Sequence, residues 1–345
     1  MSKKYLIPST VVLIIMALLL GACAPEPAPT AEPQPEILEE EISEEPVVEQ
    51  EPTAEPQPEP VEEAAPQVLE LEDGLGRMVT IELPVERVIS LAPSNTEILF
   101  AIGAGDQVIG RDMFSDFPEA ALDITDIGGG WGEIDTETIL TLEADLVLAA
   151  GLTAPEQIQT LEDLGLTVYA LENPTNLEGM YDNLRTVAQI TGHEEETETI
   201  IADFKARVAI IEEKVAGVEE HPTIFYELDA TDPNAPWTSG PGTFMDTLIT
   251  QAGGRNIGAV LDGAWAQINL EELITQDPDI ILLGTFLYGG ITPEDVAARA
   301  GWDNLSAVKN GKVYPFDDNL VGRPGPRLVD GLEELAKFLH PELFE

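Results

Sequence analysis

The chain has 345 residues and a formal net charge of −49, with 65 acidic against 16 basic side chains. That length suits two domains rather than one. The charge argues against nucleic acid and anionic lipid surfaces, both of which demand basic patches, and the single cysteine excludes a disulfide framework, a dithiol redox motif and a thiolate metal cage.

The first segment opens with Lys3 and Lys4, followed by the apolar run "LIPSTVVLIIMALLL". That run is short for a spanning helix and reads as a secretory signal over residues 1–22. It ends in "LGAC", Leu20–Cys23, which resembles the bacterial lipobox. The resemblance implies that Cys23, the only cysteine, becomes the first residue and carries lipid. Buried acyl CH₂ groups contribute about 0.8 kcal/mol each to such an anchor.

Residues 23–67 form a Glu- and Pro-rich stretch without Lys or Arg, in which the octet "PTAEPQPE" occurs twice, at Pro29–Glu36 and Pro52–Glu59. Too little apolar surface is available there to offset ordering entropy, so a disordered, extended tether is expected. The doubled octet lengthens it.

The pattern then changes to short β-rich runs alternating with helical stretches, which predicts a mostly parallel sheet flanked by helices. In residues 68–176 the strands are "RVISLA", "QVIGR", "DLVLAA" and "TVYALE", with helices over "NTEILFAIG" and "APEQIQTLEDLG". Residues 177–217 are helical in composition with a break near Thr191-Gly192-His193. Residues 218–345 repeat the style, with strands "TIFYEL", "DIILLGT" and "KVYPFD" and helices "TFMDTLITQAGG" and "LVDGLEELAKFL". The expected fold is α/β with two lobes, each built on a mostly parallel central sheet, joined by a long interdomain helix and separated by a cleft.

One phrase occurs in both halves. "GGGWGEIDTE" places Trp131 six residues before Glu137, and "DGAWAQINLE" places Trp265 six residues before Glu271. Asp135 and Asn269 read as helix N-caps, with Glu272 completing a capping box, so each Glu falls in a first helical turn where the dipole favours an anion. That explains the glutamates structurally, as core packing explains the tryptophans. A Trp among Gly and Ala just before a helix nevertheless belongs to a loop, and loops at the carboxyl ends of parallel strands bind ligands.

From about Arg87 onward the chain resembles the class III substrate-binding proteins of ABC importers, which take up vitamin B12, haem and ferric siderophores. The resemblance rests on "RVISLAPSNTEILFAIGAGDQVIGR", "GEIDTETILTLEADLVLAAG", "PWTSGPGTFMDTLITQAGGRNI", "WAQINLEELITQDPDIILL", "WDNLSAVKNGKVYPFD" and "RPGPRLVDGLEELAKFLHP", in the family's order. It implies an extracytoplasmic, lipid-anchored monomer that delivers a small molecule to a permease dimer with its ATPase subunits, without catalysis and without a resident cofactor or metal. By that resemblance Glu137 and Glu271 dock onto the two permease subunits. Similarity to the cobalamin-binding members implies a ligand site of Phe114, Trp131, Trp237, Trp265, Asp318 and Arg323 around a cobalamin-type corrinoid. Haem or a ferric siderophore is the alternative cargo, with Tyr226 or Tyr288 for a haem iron and Arg111, Arg255 and Arg323 for an iron chelate. The pattern departs from those members in two places: "AAGLTAP" lacks their aromatic, and Asn319-Leu320 replaces another. Flat aromatic faces suit a broad apolar disc fringed with amides.

Other motifs lead elsewhere. Trp302 is assigned to packing, and His193, His221 and His340 are too scattered for an imidazole metal site. Ser94 in "APSNTE" sits at a strand-to-helix turn, but with Glu97 it reads as a capping box rather than a nucleophile. "GPGTF" is glycine-rich yet lacks the lysine of a P-loop. A surface adhesin or scaffold, or an enzyme on this fold, is the remote alternative.

Overall fold

The computed structural model describes residues 67–130 and 133–344. The signal, Cys23 and the tether up to residue 66 lie outside these residues, and so does Trp131, while Gln67, expected to end the tether, already belongs to the first strand.

The described chain begins with an antiparallel hairpin, β1 (Gln67–Glu72) and β2 (Met78–Leu83), which the sequence reading did not separate from the lobe. It is followed by β3 (Val88–Ser90), α1 (Pro93–Ala101), β4 (Val108–Arg111), β5 (Thr125–Asp126), α2 (Thr136–Thr141), β6 (Leu146–Ala150), α3 (Pro155–Asp163) and β7 (Val168–Leu171). The five strands of this lobe are parallel in the order β5-β4-β3-β6-β7. The four inner strands β4, β3, β6 and β7 are largely buried, as a sheet covered by helices requires, while the short edge strand β5 is exposed. Side chains alternate: Val88, Leu146, Leu148 and Tyr169 enter one core, while Ile89, Val147, Ala149 and Val168 enter another.

Two helices follow, α4 (Leu177–Thr191) and α5 (Glu194–Val215). The break between them falls where expected, at Gly192, whose φ of 80° is left-handed. With 22 residues, α5 is roughly 33 Å long at 1.5 Å per residue.

The second lobe contains β8 (Thr223–Glu227), β9 (Trp237–Ser239), α6 (Phe244–Gln251), β10 (Arg255–Asn256), β11 (Trp265–Gln267), α7 (Leu270–Gln276), β12 (Ile280–Leu283), α8 (Phe286–Gly289), α9 (Pro293–Ala297), α10 (Ser306–Lys309), β13 (Val313–Pro315) and α11 (Leu328–Leu339). Its parallel sheet runs β10-β8-β12-β13, while β9 and β11 form a separate antiparallel ribbon. That ribbon explains the glycines of "GPGTF". The Gly240 amide donates to the Ala264 carbonyl at 2.6 Å, and a Cβ on Gly240 would lie 1.9 Å from the Gly263 carbonyl oxygen. Glycine is needed there because two backbones touch, not because a phosphate is held.

One apolar cluster runs through both lobes. It contains Leu146 and Tyr169 of the first sheet, Met180 and Leu184 of α4, Ile201 and Ile211 of α5, Ile224 and Leu282 of the second sheet, and Leu332 and Leu335 of α11. The lobes therefore share a packed core behind the cleft, which favours a fixed angle between them. Trp302 is fully buried in a second cluster with Phe225 and Ile281, and its indole N–H donates to the Pro233 carbonyl at 3.0 Å.

Candidate functional site

In an open parallel sheet the crevice forms outside the carboxyl ends of the strands, where the connections diverge to opposite sides. In the first lobe β3 is followed by β4 on one side, and the chain then crosses to β6 on the other. A cavity of ≈ 480 Å³ lies at that point. Leu91, Asp112 and Asn173, just beyond β3, β4 and β7, and Ala150, the last residue of β6, line it, together with Ser94 at the start of α1. Gly322, Arg323 and Pro324 of the second lobe close one side.

Two predicted ligand residues, Phe114 and Arg323, come together in this cavity. Phe114 is 39% exposed. Its ring packs over Gly130, where a Cβ would lie 2.2 Å away, and Gly128, Gly129 and Gly130 all have positive φ. The small-residue run before Trp131 is thus a left-handed turn pressed against an aromatic face, a conformation that only glycine adopts without strain. Leu152 also lines the cavity and is 76% exposed. It stands in "AAGLTAP", so an exposed apolar side chain occupies the region where the cobalamin-binding pattern has an aromatic. An exposed Leu gives no signal in a sequence, because periodicity does not separate it from a core leucine.

Asp112 lines the cavity from beneath. It accepts a hydrogen bond from the Phe114 amide at 2.8 Å and another from the Ser115 hydroxyl. Burial pushes its carboxyl above the usual range despite these bonds and the nearby Arg323 and Arg111. Arg111 itself is buried against the Ala121 carbonyl, 2.9 Å away, and Arg255 is exposed beside the His221 carbonyl, 3.1 Å away. Of the three arginines proposed for an iron chelate, only Arg323 lines the cavity.

Trp237 and Trp265 lie on the second lobe, outside the residues lining the cavity. They are 42% and 36% exposed. In the β9–β11 register Trp265 faces Ser239, and Trp237 faces Gln267. Opposed residues share a side and alternate positions repeat it, so both tryptophans occupy one face of the ribbon as diagonal neighbours. The Trp265 ring is braced by Phe244, with centroids 5.6 Å apart. Further exposed apolar residues, Phe286, Leu287 and Tyr288, form α8 beyond the carboxyl end of β12. The Tyr288 hydroxyl donates to the Leu228 carbonyl.

Asp318 follows β13 and accepts the Tyr226 hydroxyl at 2.8 Å. Tyr226 is completely buried, so its assignment to an iron ligand gives way to this structural bond. Burial raises the Asp318 carboxyl above its ordinary value, with the tyrosine bond opposing the shift. The folded state therefore binds this proton more tightly than the unfolded state. Its stabilising contribution is complete below the ordinary carboxyl value of 3.8 and is lost as pH rises through the raised folded value. Asp318→Asn, whose amide oxygen still accepts from Tyr226, is expected to stabilise the protein near pH 7 and to lose that advantage in more acidic buffer. Urea midpoints of both forms across that range test this; an advantage independent of pH would contradict it.

Glu137 and Glu271 lie in the first turns of α2 and α7, both exposed. The predicted caps form: the Asp135 side chain accepts from the Thr138 amide at 3.0 Å, and that of Asn269 from the Glu272 amide at 2.9 Å. The Glu272 carboxylate does not complete a capping box, because it accepts from Gln276 at 2.7 Å instead.

A larger correction concerns Glu97. The α1 helix starts two residues earlier than a Ser94 cap allows, with Ala92 at the cap and no side-chain bond. Glu97 is instead a buried acceptor for two arginines of the other lobe, Arg323 and Arg327. Of the histidines, His340 stands at the C-cap of α11 and is 4% exposed, its Nε2 3.3 Å from the Gly253 carbonyl. Among the described residues no cluster of His, Cys, Asp or Glu suits a metal ion.

The periplasmic binding protein family matches residues 88–320. An uncharacterized ABC transporter substrate-binding lipoprotein of Bacillus subtilis, YvrC, is 30% identical over 280 residues, which cover 80% of this chain and 86% of that protein. A vitamin B12-binding protein of Vibrio cholerae is 30% identical over 263 residues, 74% of this chain and 90% of that one. Among solved structures, the periplasmic heme-binding protein RhuT of Roseiflexus sp. RS-1 superposes with a TM-score of 0.68 at 24% identity, covering 75% of this chain and all of the other.

Proposed function

Because the chain belongs to the periplasmic binding protein family and is an extracytoplasmic solute-binding component of an ABC importer, we propose that its cargo is a corrinoid of the cobalamin type, held between the two lobes. The observation that carries this reading is the pair of partly exposed tryptophans on one face of the β9–β11 ribbon. The cavity of the other lobe contributes Phe114, Leu152 and Arg323. Apolar faces from two lobes, with few polar groups, suit a wide disc edged with amides. The vitamin B12-binding relative supports the same cargo.

In this reading Trp237, Trp265 and Phe114 contact the corrin, Asp318 and Arg323 meet its amide fringe, and Trp131, outside the described residues, is assigned to the same contact by the sequence resemblance. Glu137 and Glu271 dock onto the two halves of the permease, which its ATPase subunits drive. Cys23 carries the lipid that holds the protein at the membrane, and residues 23–67 space it from the surface. The protein acts as a monomer and performs no covalent step.

A tryptophan-fluorescence titration against cobalamin, haem and a ferric siderophore, confirmed by calorimetry, tests the cargo. Saturable quenching by cobalamin alone is the expected result. Binding of haem or the iron chelate alone overturns the corrinoid while leaving the importer role intact.

A further inference from the structure

Glu97 stands on α1 in the first lobe, and its side chain is 1% exposed. Arg327, at the start of α11 in the second lobe, grips it as a fork: Nε donates to Oε2 at 2.9 Å and Nη2 to Oε1 at 2.5 Å. Arg323 approaches the same carboxylate, its Nη1 donating to Oε1 at 3.3 Å and to Asp116 Oδ1 at 2.6 Å. The Arg327 guanidinium also lies over the Phe117 ring, 4.3 Å from its centroid. Between the two arginines, a Cβ on Gly325 would lie 3.4 Å from Ser94 Cα, so the loop backbone itself rests on the first turn of α1. Two carboxylates of one lobe thus neutralise two guanidiniums of the other at the edge of the cavity.

Both bonds of Arg323 leave from Nη1. Among the described residues its Nε and Nη2 have no hydrogen-bond partner, and the side chain lines the cavity. A guanidinium pinned at one nitrogen presents its opposite edge in a fixed direction, and that edge matches two oxygens of a carboxylate, phosphate or paired amides. We propose that Glu97 is a positioning residue: it fastens the Gly322–Arg327 loop of the second lobe to the first and aims the free edge of Arg323 into the cleft. A buried carboxylate is suited to this because a forked, desolvated pair has one geometry, whereas an exposed pair wanders. That Arg323 meets a ligand rests on the proposed function; the coupling of the lobes by Glu97 does not.

Hydrogen–deuterium exchange on the full chain tests the coupling, comparing wild type with Glu97→Gln. The amide keeps the shape but removes the charge that two guanidiniums require. Amides of residues 94–98 and of the non-proline residues within 322–331 are expected to exchange at least about tenfold faster, with those of β3, β6, β8 and β12 unchanged. Unchanged loop amides overturn the coupling, and so does a uniform acceleration that includes both sheets. Should Glu97→Gln fail to fold, Arg327→Lys keeps the charge but not the fork, and is expected to give a smaller acceleration confined to the same amides; no acceleration there overturns the coupling. Titration with cyanocobalamin then separates the two claims. Binding by wild type with affinity lowered about tenfold in the loosened variant supports the aiming of Arg323, at the strength of one lost charge-assisted bond. Equal affinity in the loosened variant overturns it. Absence of binding by wild type overturns the corrinoid reading and the aiming at such a ligand, and leaves the coupling to stand on exchange alone.

Discussion

Reversing both docking charges, Glu137→Lys with Glu271→Lys, is expected to abolish uptake while leaving cargo affinity unchanged. Both carboxylates are exposed in the first turn of a helix, on different lobes, and neither lines the cavity. A permease that receives an acid on each side would meet a lysine instead, and like charges brought together at an interface cost several kcal/mol each, a loss of more than about a hundredfold in association per site. Each single variant is expected to retain partial transport, because one pairing survives. The measurement is uptake of labelled cobalamin into vesicles holding the permease and its ATPase, alongside calorimetry of the binding protein alone. The helices themselves should persist, since the caps at Asp135 and Asn269 are untouched. Retained uptake in the double variant would remove the docking assignment, and lost affinity would place these residues in the cargo site.

The second large effect concerns the aromatic ribbon. Trp265→Ala and Trp237→Ala are each expected to weaken cobalamin binding about thirtyfold, the loss that follows from removing a hot-spot aromatic of about 2 kcal/mol. Trp265 carries the firmer expectation of the pair, because Phe244 already holds its ring and little entropy is lost on binding. Both side chains are partly exposed, so thermal stability should change little. Trp302→Ala supplies the contrast. That side chain is fully buried and hydrogen-bonded to Pro233, so its removal is expected to cost about 3–5 kcal/mol of stability, with no direct effect on the cleft. Isothermal calorimetry with thermal melts on the same samples distinguishes the two outcomes. Unchanged affinity in the ribbon variants would sink the corrin contact.

Much of the architecture is legible along the chain. Strand positions such as Val88–Ser90 and Ile280–Leu283 follow from short apolar runs bounded by turn residues, and the break at Gly192 follows from a glycine where a left-handed residue is required. The N-caps at Asp135 and Asn269 are equally local, because the cap and the amide it accepts from are three residues apart. The β9–β11 ribbon was not legible. Its strands have three residues each and pair across a gap of 25 intervening residues, from Ser239 to Trp265, so no alternation long enough to count exists in either.

Glu97 shows where local reasoning fails. Ser-x-x-Glu before an apolar run is the pattern of a capping box, and nothing within four residues contradicts it. The arginines that claim Glu97 lie 226 and 230 residues away. By itself the sequence determined most strands and helices of the two parallel-sheet lobes, the α/β class and the repeated Trp-then-Glu phrase, since these depend on periodicity and on neighbours within one turn. Only the tertiary structure decided which carboxylate bridges the lobes, which arginine faces the cavity, and that Tyr226 bonds Asp318 instead of standing free. Charge partners are chosen by proximity in space and by burial, and neither quantity exists until distant segments have packed together.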